Sequence, residues 1–190
     1  VQTCALPISI RPVRFFMRRQ AKGKIHERIT AIPNAWYPIY LVRGAEKNLV
    51  IDAGVNLLGP RYRNDIREIL GDDQPLHDLF LTHSHYDHIG AAGYLKEHFP
   101  GLQIGAHERL ANLMQKPSVL GLMNGLSANH VELLKYNAAG VDLTLRPFDI
   151  DIALKQGDRF DLGGLTCCVH ETPGHTRSEE RRVGKECLRL

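Results

Sequence analysis

A chain of 190 residues with 43% hydrophobic side chains has enough apolar mass for one domain with a sizeable core, and nothing in it marks a second. No apolar run approaches the ~20 residues that a membrane-spanning helix needs, so no membrane partner is expected. Of the formal net charge of +3, residues 177–190 supply two charges and the rest of the chain one, which is no basis for a nucleic-acid partner; a small-molecule substrate is the expectation.

The two ends differ in character from the middle. Arg177 to Cys187 lacks apolar periodicity and resembles an in-frame translation of a common short-read sequencing adapter, while Val1 to Ile8 resembles a translation of its partner adapter. The expectation is a gene fragment with one domain at residues 9–176, flanked by non-native segments 1–8 and 177–190 that take no part in fold reasoning. Cys4 and Cys187 fall in those flanks. That leaves Cys167 and Cys168, adjacent on a predicted strand, pointing to opposite faces as small core or surface residues rather than a disulfide or a zinc pair. A reducing, cytoplasmic setting fits this cysteine usage.

In chain order, Arg14 to Met17 is basic and aromatic, Ile25 to Ile32 alternates loosely, and Trp36 to Val42 is rich in strand formers. Glu46-Lys47 turns into a short buried strand, Asn48 to Asp52. Tyr62, Ile66, Ile69 and Leu70 share one helical face, and Gly71 stops that helix. Leu76 to Leu81 is the next strand, Ile89 to Phe99 a helix ended by Pro100-Gly101, Leu102 to Gly105 a strand, and Ala106 to Met114 a helix. Periodicity weakens from Gln115 to Phe148. One or two short helices are expected there, with Ser127 or Asn129 as an N-cap. Asp149 to Ala153, Asp158 to Leu162 and Leu165 to Thr172 read as strands, the last two joined at Gly163-Gly164. Periodicity by itself gives a mixed α and β domain.

Between the strand at Leu76–Leu81 and the helix after it lies Leu-Thr-His-Ser-His-Tyr-Asp-His-Ile-Gly, Leu81 to Gly90, with four ligand-type side chains in six positions. On an extended turn His83 and His85 project to one side, so one divalent ion can take an imidazole from each, while Asp87 and His88 face a second position nearby. Two ions ~3.5–4 Å apart suit hydrolysis, because they clamp both the attacking and the leaving oxygen. His77, His98 and His107 have no such neighbours and read as surface or helix-end residues. Asp52 reads as an acceptor that braces a loop near the site.

His83-Ser84-His85-Tyr86-Asp87-His88 resembles the His-x-His-x-Asp-His signature of the metallo-β-lactamase superfamily. Ile51-Asp52-Ala53-Gly54 looks like its strand-end Asp-x-Gly element, and Thr172-Pro173-Gly174-His175-Thr176 like the segment that carries a further metal-site histidine. The resemblance implies an α+β fold, the four-layer αββα sandwich, incomplete toward its C-terminal end. It implies a metal-dependent, glyoxalase II-like hydrolase of an ester, thioester or lactone, acting through a metal-bound hydroxide. β-Lactam or phosphodiester hydrolysis on the same fold, or a non-catalytic metal-binding or effector role, are the alternatives. His83, His85 and His175 would hold one ion, and Asp87 and His88 the other, with Asp87 also orienting or deprotonating the water. Zinc is the expected metal, two per intact domain, with iron or manganese as possible substitutes. In the resembled family the segment between the histidine motifs often helps form the substrate pocket, so here it is a candidate lid, with ordinary helical packing over the sandwich as the equal alternative. The family's bridging carboxylate and last histidine have no counterpart here: no Asp follows Asp161 and no His follows His175. The second metal position is therefore expected to be half built.

Overall fold

Alternating apolar side chains, which let a strand present one face to each of two neighbours, are what organise this protein. The computed structural model describes residues 23–32, 37–133, 144–172 and 181–183. His175, Trp36 and the segment Arg14 to Met17 lie outside the described residues. Strands β1 (Gly23–His26), β2 (Ile29–Ile32), β3 (Ile39–Arg43), β4 (Asn48–Ile51), β5 (Asp78–Phe80), β6 (Gln103–Ala106) and β7 (Ile152–Ala153) form one sheet in sequence order. Its first half is antiparallel, with Leu41 opposite Val50; β4 to β7 are parallel, with Val50 beside Leu79 and Leu79 beside Ile104. A second sheet has the order β10-β9-β8, from β8 (Arg159–Asp161), β9 (Thr166–Glu171) and β10 (Arg181–Val183).

Ile39, Leu41, Val50, Leu79 and Ile104 point to one face of the large sheet, where they meet the helices in one core. Val42, Leu49, Phe80 and Leu154 point to the other, where they meet Leu162, Leu165, Cys167 and Val169 from the small sheet. Phe80 and Phe160 close this second core with an edge-to-face contact, ring centroids 4.7 Å apart. Cys167 and Cys168 are both buried, and the alternation of β9 gives only Cys167 to the intersheet core. Helices α1 (Gly59–Leu70), α2 (Tyr86–Ile89), α3 (Ala92–His98), α4 (Glu108–Met114) and α5 (Pro117–Leu133) contribute their buried apolar residues to the first core. The described residues thus build three layers, helices on a seven-stranded sheet on a three-stranded sheet, an α+β arrangement that accounts for three of the four layers expected.

The sheets are locked together at the turn between β3 and β4. Ala45 N–H donates to Gly163 C=O (2.9 Å) and Glu46 N–H to Leu162 C=O (3.0 Å), and Gly44 lies so close to Leu162 that a Cβ there would fall 1.7 Å from its carbonyl oxygen.

Several boundaries differ from the sequence reading. The helix expected over Ile89–Phe99 is two, α2 and α3, because Gly90 N–H donates to Gly54 C=O (2.8 Å), outside its own helix. The break lets α2 begin inside the histidine motif. Ser127 caps nothing: it lies buried within the single long helix α5, which starts at Pro117, where a missing N–H costs nothing. Helix α1 starts at Gly59, three residues before Tyr62, after a 3-10 turn at Asn56–Leu58. The strand expected at Asp149–Ala153 shrinks to two residues, since the Asp151 side chain turns to accept Ile104 N–H (2.7 Å) and pairs with Lys96. Burial opposes ionisation of Asp151, but those two partners hold its carboxyl below the usual range. Strand β10, in the segment expected to be a non-native flank that takes no part in the fold, pairs with β9 from Val169 to Glu171.

Candidate metal centre

Two loops at the ends of parallel strands make the site. After β4 the chain turns at Asp52, whose φ of 62° is left-handed, a conformation Asp tolerates better than most residues. After β5 comes Leu81 to His85, then the turn of α2. The loops are stitched by backbone: Ala53 N–H donates to His88 C=O (2.7 Å), and Gly54 bridges to Ile89. Gly90 is required by close approach, as a Cβ there would lie 2.6 Å from Asn56 N and 2.9 Å from Gly54 O. Tyr62, from α1, fills the space beneath. Its hydroxyl donates to Tyr37 C=O (2.7 Å) and lies where a side chain on Gly54 would be.

The stitching gathers three half-buried imidazoles. His83 and His85 meet edge to face with ring centroids 4.7 Å apart, and His83 and His88 lie 4.0 Å apart. Nε2 of His83 is 3.1 Å from Nδ1 of His85, and Nε2 of His88 is 3.9 Å from Oδ2 of Asp87. Buried Asp52 sits behind them. Its Oδ1 accepts Thr82 N–H (2.9 Å) and its Oδ2 lies 2.9 Å from His88 Nδ1. A carboxylate only accepts, so the proton of that pair belongs on His88 Nδ1, and Nε2 of a neutral ring carries the lone pair.

Among the described residues no three His, Cys, Asp or Glu side chains surround a common point; the ligand-type groups approach in pairs. The donor chemistry of those pairs nevertheless fits divalent cations. Two imidazole nitrogens converge at His83 and His85, and a nitrogen and a carboxylate oxygen at Asp87 and His88, matching the borderline-soft preference of zinc. Of the five ligand-type residues read from the sequence, His83, His85, Asp87 and His88 come together, and His175 lies outside the described residues.

Other histidines are occupied structurally. His77 Nδ1 accepts Asn48 N–H (3.0 Å), His98 Nδ1 lies 2.8 Å from Tyr94 C=O, and His107 caps α4 by accepting Arg109 N–H (3.0 Å). The sequence reading missed Thr82, Tyr37 and Tyr86. Burial, with Tyr86 and the negative charge of Asp87 close by, pushes the Tyr37 phenol up to about 12; burial and Asp87 likewise push Tyr86 up. Both stay neutral donors beside Asp87 through the neutral range. Helix α5 packs against α2, and Asn124 at its middle accepts Leu145 N–H (2.6 Å), while Asn56 donates to Thr144 C=O (2.8 Å). The segment between the histidine motifs therefore leans on the helix that carries Asp87 and His88.

The metallo-β-lactamase superfamily model matches residues 38–179, so the chain belongs to that superfamily. It is similar to the hydroxyacylglutathione hydrolase of Bradyrhizobium sp. (strain ORS 278), 27% identical over 111 residues, 58% of this chain and 30% of that protein. It is also similar to the exodeoxyribonuclease WalJ of Streptococcus pneumoniae (strain D39), 26% identical over 123 residues, 64% of this chain and 44% of that protein. In fold it is similar to the class B3 di-zinc metallo-β-lactamase LRA-12 from an Alaskan soil metagenome, with a TM-score of 0.61 at 23% identity, over 86% of this chain and 57% of that one. The chain thus spans less than half the length of these two curated relatives.

Proposed function

We propose that this chain is the metal-binding part of a longer hydrolase that cleaves a thioester or ester. The observation that carries the reading is the convergence of His83 Nε2 and His85 Nδ1 at 3.1 Å beside the Asp87–His88 pair, with buried Asp52 bonded to His88. His83, His85 and His175 would hold one zinc ion, and Asp87 and His88 would contribute to a second. Bound zinc lowers the pKa of water to ~7 and polarises a carbonyl, so no serine or cysteine nucleophile is needed. Asp87, half-buried and next to His88, takes the proton from the attacking water and orients it. Tyr37 and Tyr86, neutral beside Asp87, are suited to donate hydrogen bonds to a substrate oxygen, and α5 forms a wall of the pocket.

Thioester cleavage is favoured because the similar hydroxyacylglutathione hydrolase acts, by its name, on an acyl thioester. The similar exodeoxyribonuclease supports phosphodiester cleavage as a second reading. A panel of thioesters, esters, lactones, β-lactams and phosphodiesters, assayed with zinc on the full-length protein recovered from its source locus, tests both. Thioester turnover at least tenfold above the others is the expected result, and phosphodiester turnover alone would move the assignment to the second reading. Sequencing the same locus tests whether 1–8 and 177–190 are non-native.

The 190-residue chain should bind about one zinc ion after dialysis, through His83, His85 and His175. His85→Ala should remove it, because two remaining imidazoles hold zinc weakly. Elemental analysis finding two tight ions in the parent chain, or one still present in the variant, would refute this ligand set.

A further inference from the structure

The hydroxyl of Thr82 makes three short contacts: 2.8 Å to Oδ1 and 3.0 Å to Oδ2 of Asp52, and 2.9 Å to Nδ1 of His83. It has one proton to place among them. The carboxylate has none to give, so the Thr82 proton lies toward Asp52. Its oxygen then meets His83 Nδ1 with lone pairs only, and that contact is a hydrogen bond only if Nδ1 carries a proton. A neutral ring protonated at Nδ1 keeps its lone pair on Nε2, the nitrogen that faces His85. The backbone adds rigidity, since Thr82 N–H donates to the same Asp52 oxygen at 2.9 Å and pins the threonine where its hydroxyl can reach both groups.

We propose that Thr82 is a positioning residue that transmits the acceptor character of Asp52 to His83, fixing the Nδ1–H tautomer and so presenting Nε2 for the metal. One buried carboxylate then sets the tautomers of two ligand histidines, His88 directly and His83 through a hydroxyl. The inference rests on the metal-centre reading for its purpose, but the tautomer itself does not depend on any metal. A metal ligand is held and made basic by the partner of its other ring nitrogen. Here that partner is a neutral hydroxyl polarised by a carboxylate.

The experiment is long-range ¹H–¹⁵N correlation on the metal-free 190-residue chain at pH 8, comparing the parent with Thr82→Val and Thr82→Ser, followed by titration with zinc ion alone. In the parent, His83 should show a protonated Nδ1 and an unprotonated Nε2. Thr82→Val, which keeps the shape and removes the hydroxyl, should populate the Nε2–H tautomer of His83, leave the His88 tautomer unchanged and weaken zinc binding roughly tenfold. Thr82→Ser should restore both. A parent His83 protonated at Nε2, or a valine variant with an unchanged tautomer, overturns the proposal; the parent spectrum decides even if the valine variant does not fold. The expected tautomers with no zinc bound would uphold the relay and refute the metal-centre reading, whereas zinc binding with the opposite tautomer would do the reverse.

Discussion

Asp52→Asn should lower kcat/KM of the proposed full-length hydrolase roughly 10–100-fold with little change in Tm, whereas Asp52→Ala should destabilise the fold by about 3 kcal/mol. The asymmetry follows from what each substitution leaves behind. An amide carbonyl replacing Oδ1 still accepts Thr82 N–H, so the packing survives. An NH₂ group in place of Oδ2 can only donate to His88 Nδ1, 2.9 Å away, which forces the His88 proton onto Nε2 and removes the lone pair of the nitrogen near Asp87 that the proposed second metal would use. Alanine instead leaves Thr82 N–H, the Thr82 hydroxyl and His88 Nδ1–H without their common acceptor in a part-buried place, at ~1–3 kcal/mol for each group left unsatisfied. Urea denaturation and initial-rate kinetics on both variants check this. An asparagine variant with unimpaired turnover would show that the His88 proton is not set by Asp52.

Why the sequence could carry so much of this is clear at His83, His85, Asp87 and His88. Four ligand-type side chains within six residues need only one turn of chain to meet, so their proximity is a local property, readable without knowing the fold. The strand cores were legible for a similar reason: the period-two pattern of β3 to β6 survives whatever the strands pair with. Thr82 was hidden because a threonine before a histidine is unremarkable until Asp52, thirty residues earlier, is brought against it by the parallel pairing of β4 with β5. Tyr37 was hidden likewise, since its carbonyl is held by the Tyr62 hydroxyl and its phenol is brought near Asp87 only by the folded chain.

The α5 segment shows the opposite failure. Its two interior glycines, Gly121 and Gly125, and its scattered apolar positions weaken any helical period, and Leu122 and Leu126 remain exposed on it. Tertiary anchoring completes the helix, through Met123 in the core and Asn124 bonded to the Leu145 backbone. The Ile89–Phe99 helix failed through Gly90. An apolar stripe predicts continuation, and the hydrogen bond that stops it goes to a residue in another loop.

Gly90→Ala should be a costly single-methyl substitution beside the site, lowering stability by about 3 kcal/mol and Tm by roughly 10 °C. Its backbone is ordinary right-handed helix, φ −56° and ψ −43°, so conformational freedom is not the reason for glycine. Space is the reason: the new methyl would sit 2.6 Å from Asn56 N, 2.6 Å from Tyr86 O and 2.9 Å from Gly54 O, all backbone atoms with no rotamer to yield. Relief requires the Asp52–Gly54 loop and α2 to part, which lengthens the Gly90–Gly54 and Ala53–His88 hydrogen bonds and draws Asp52 away from His88. Gly101→Ala is the control, because it stands in open space at φ 80° and carries only the left-handed cost of ~1–2 kcal/mol. Thermal unfolding should therefore separate the two variants clearly, and zinc affinity should fall in Gly90→Ala alone. Equal melting temperatures for the two would mean that the loops close over His88 with more slack than these contacts imply.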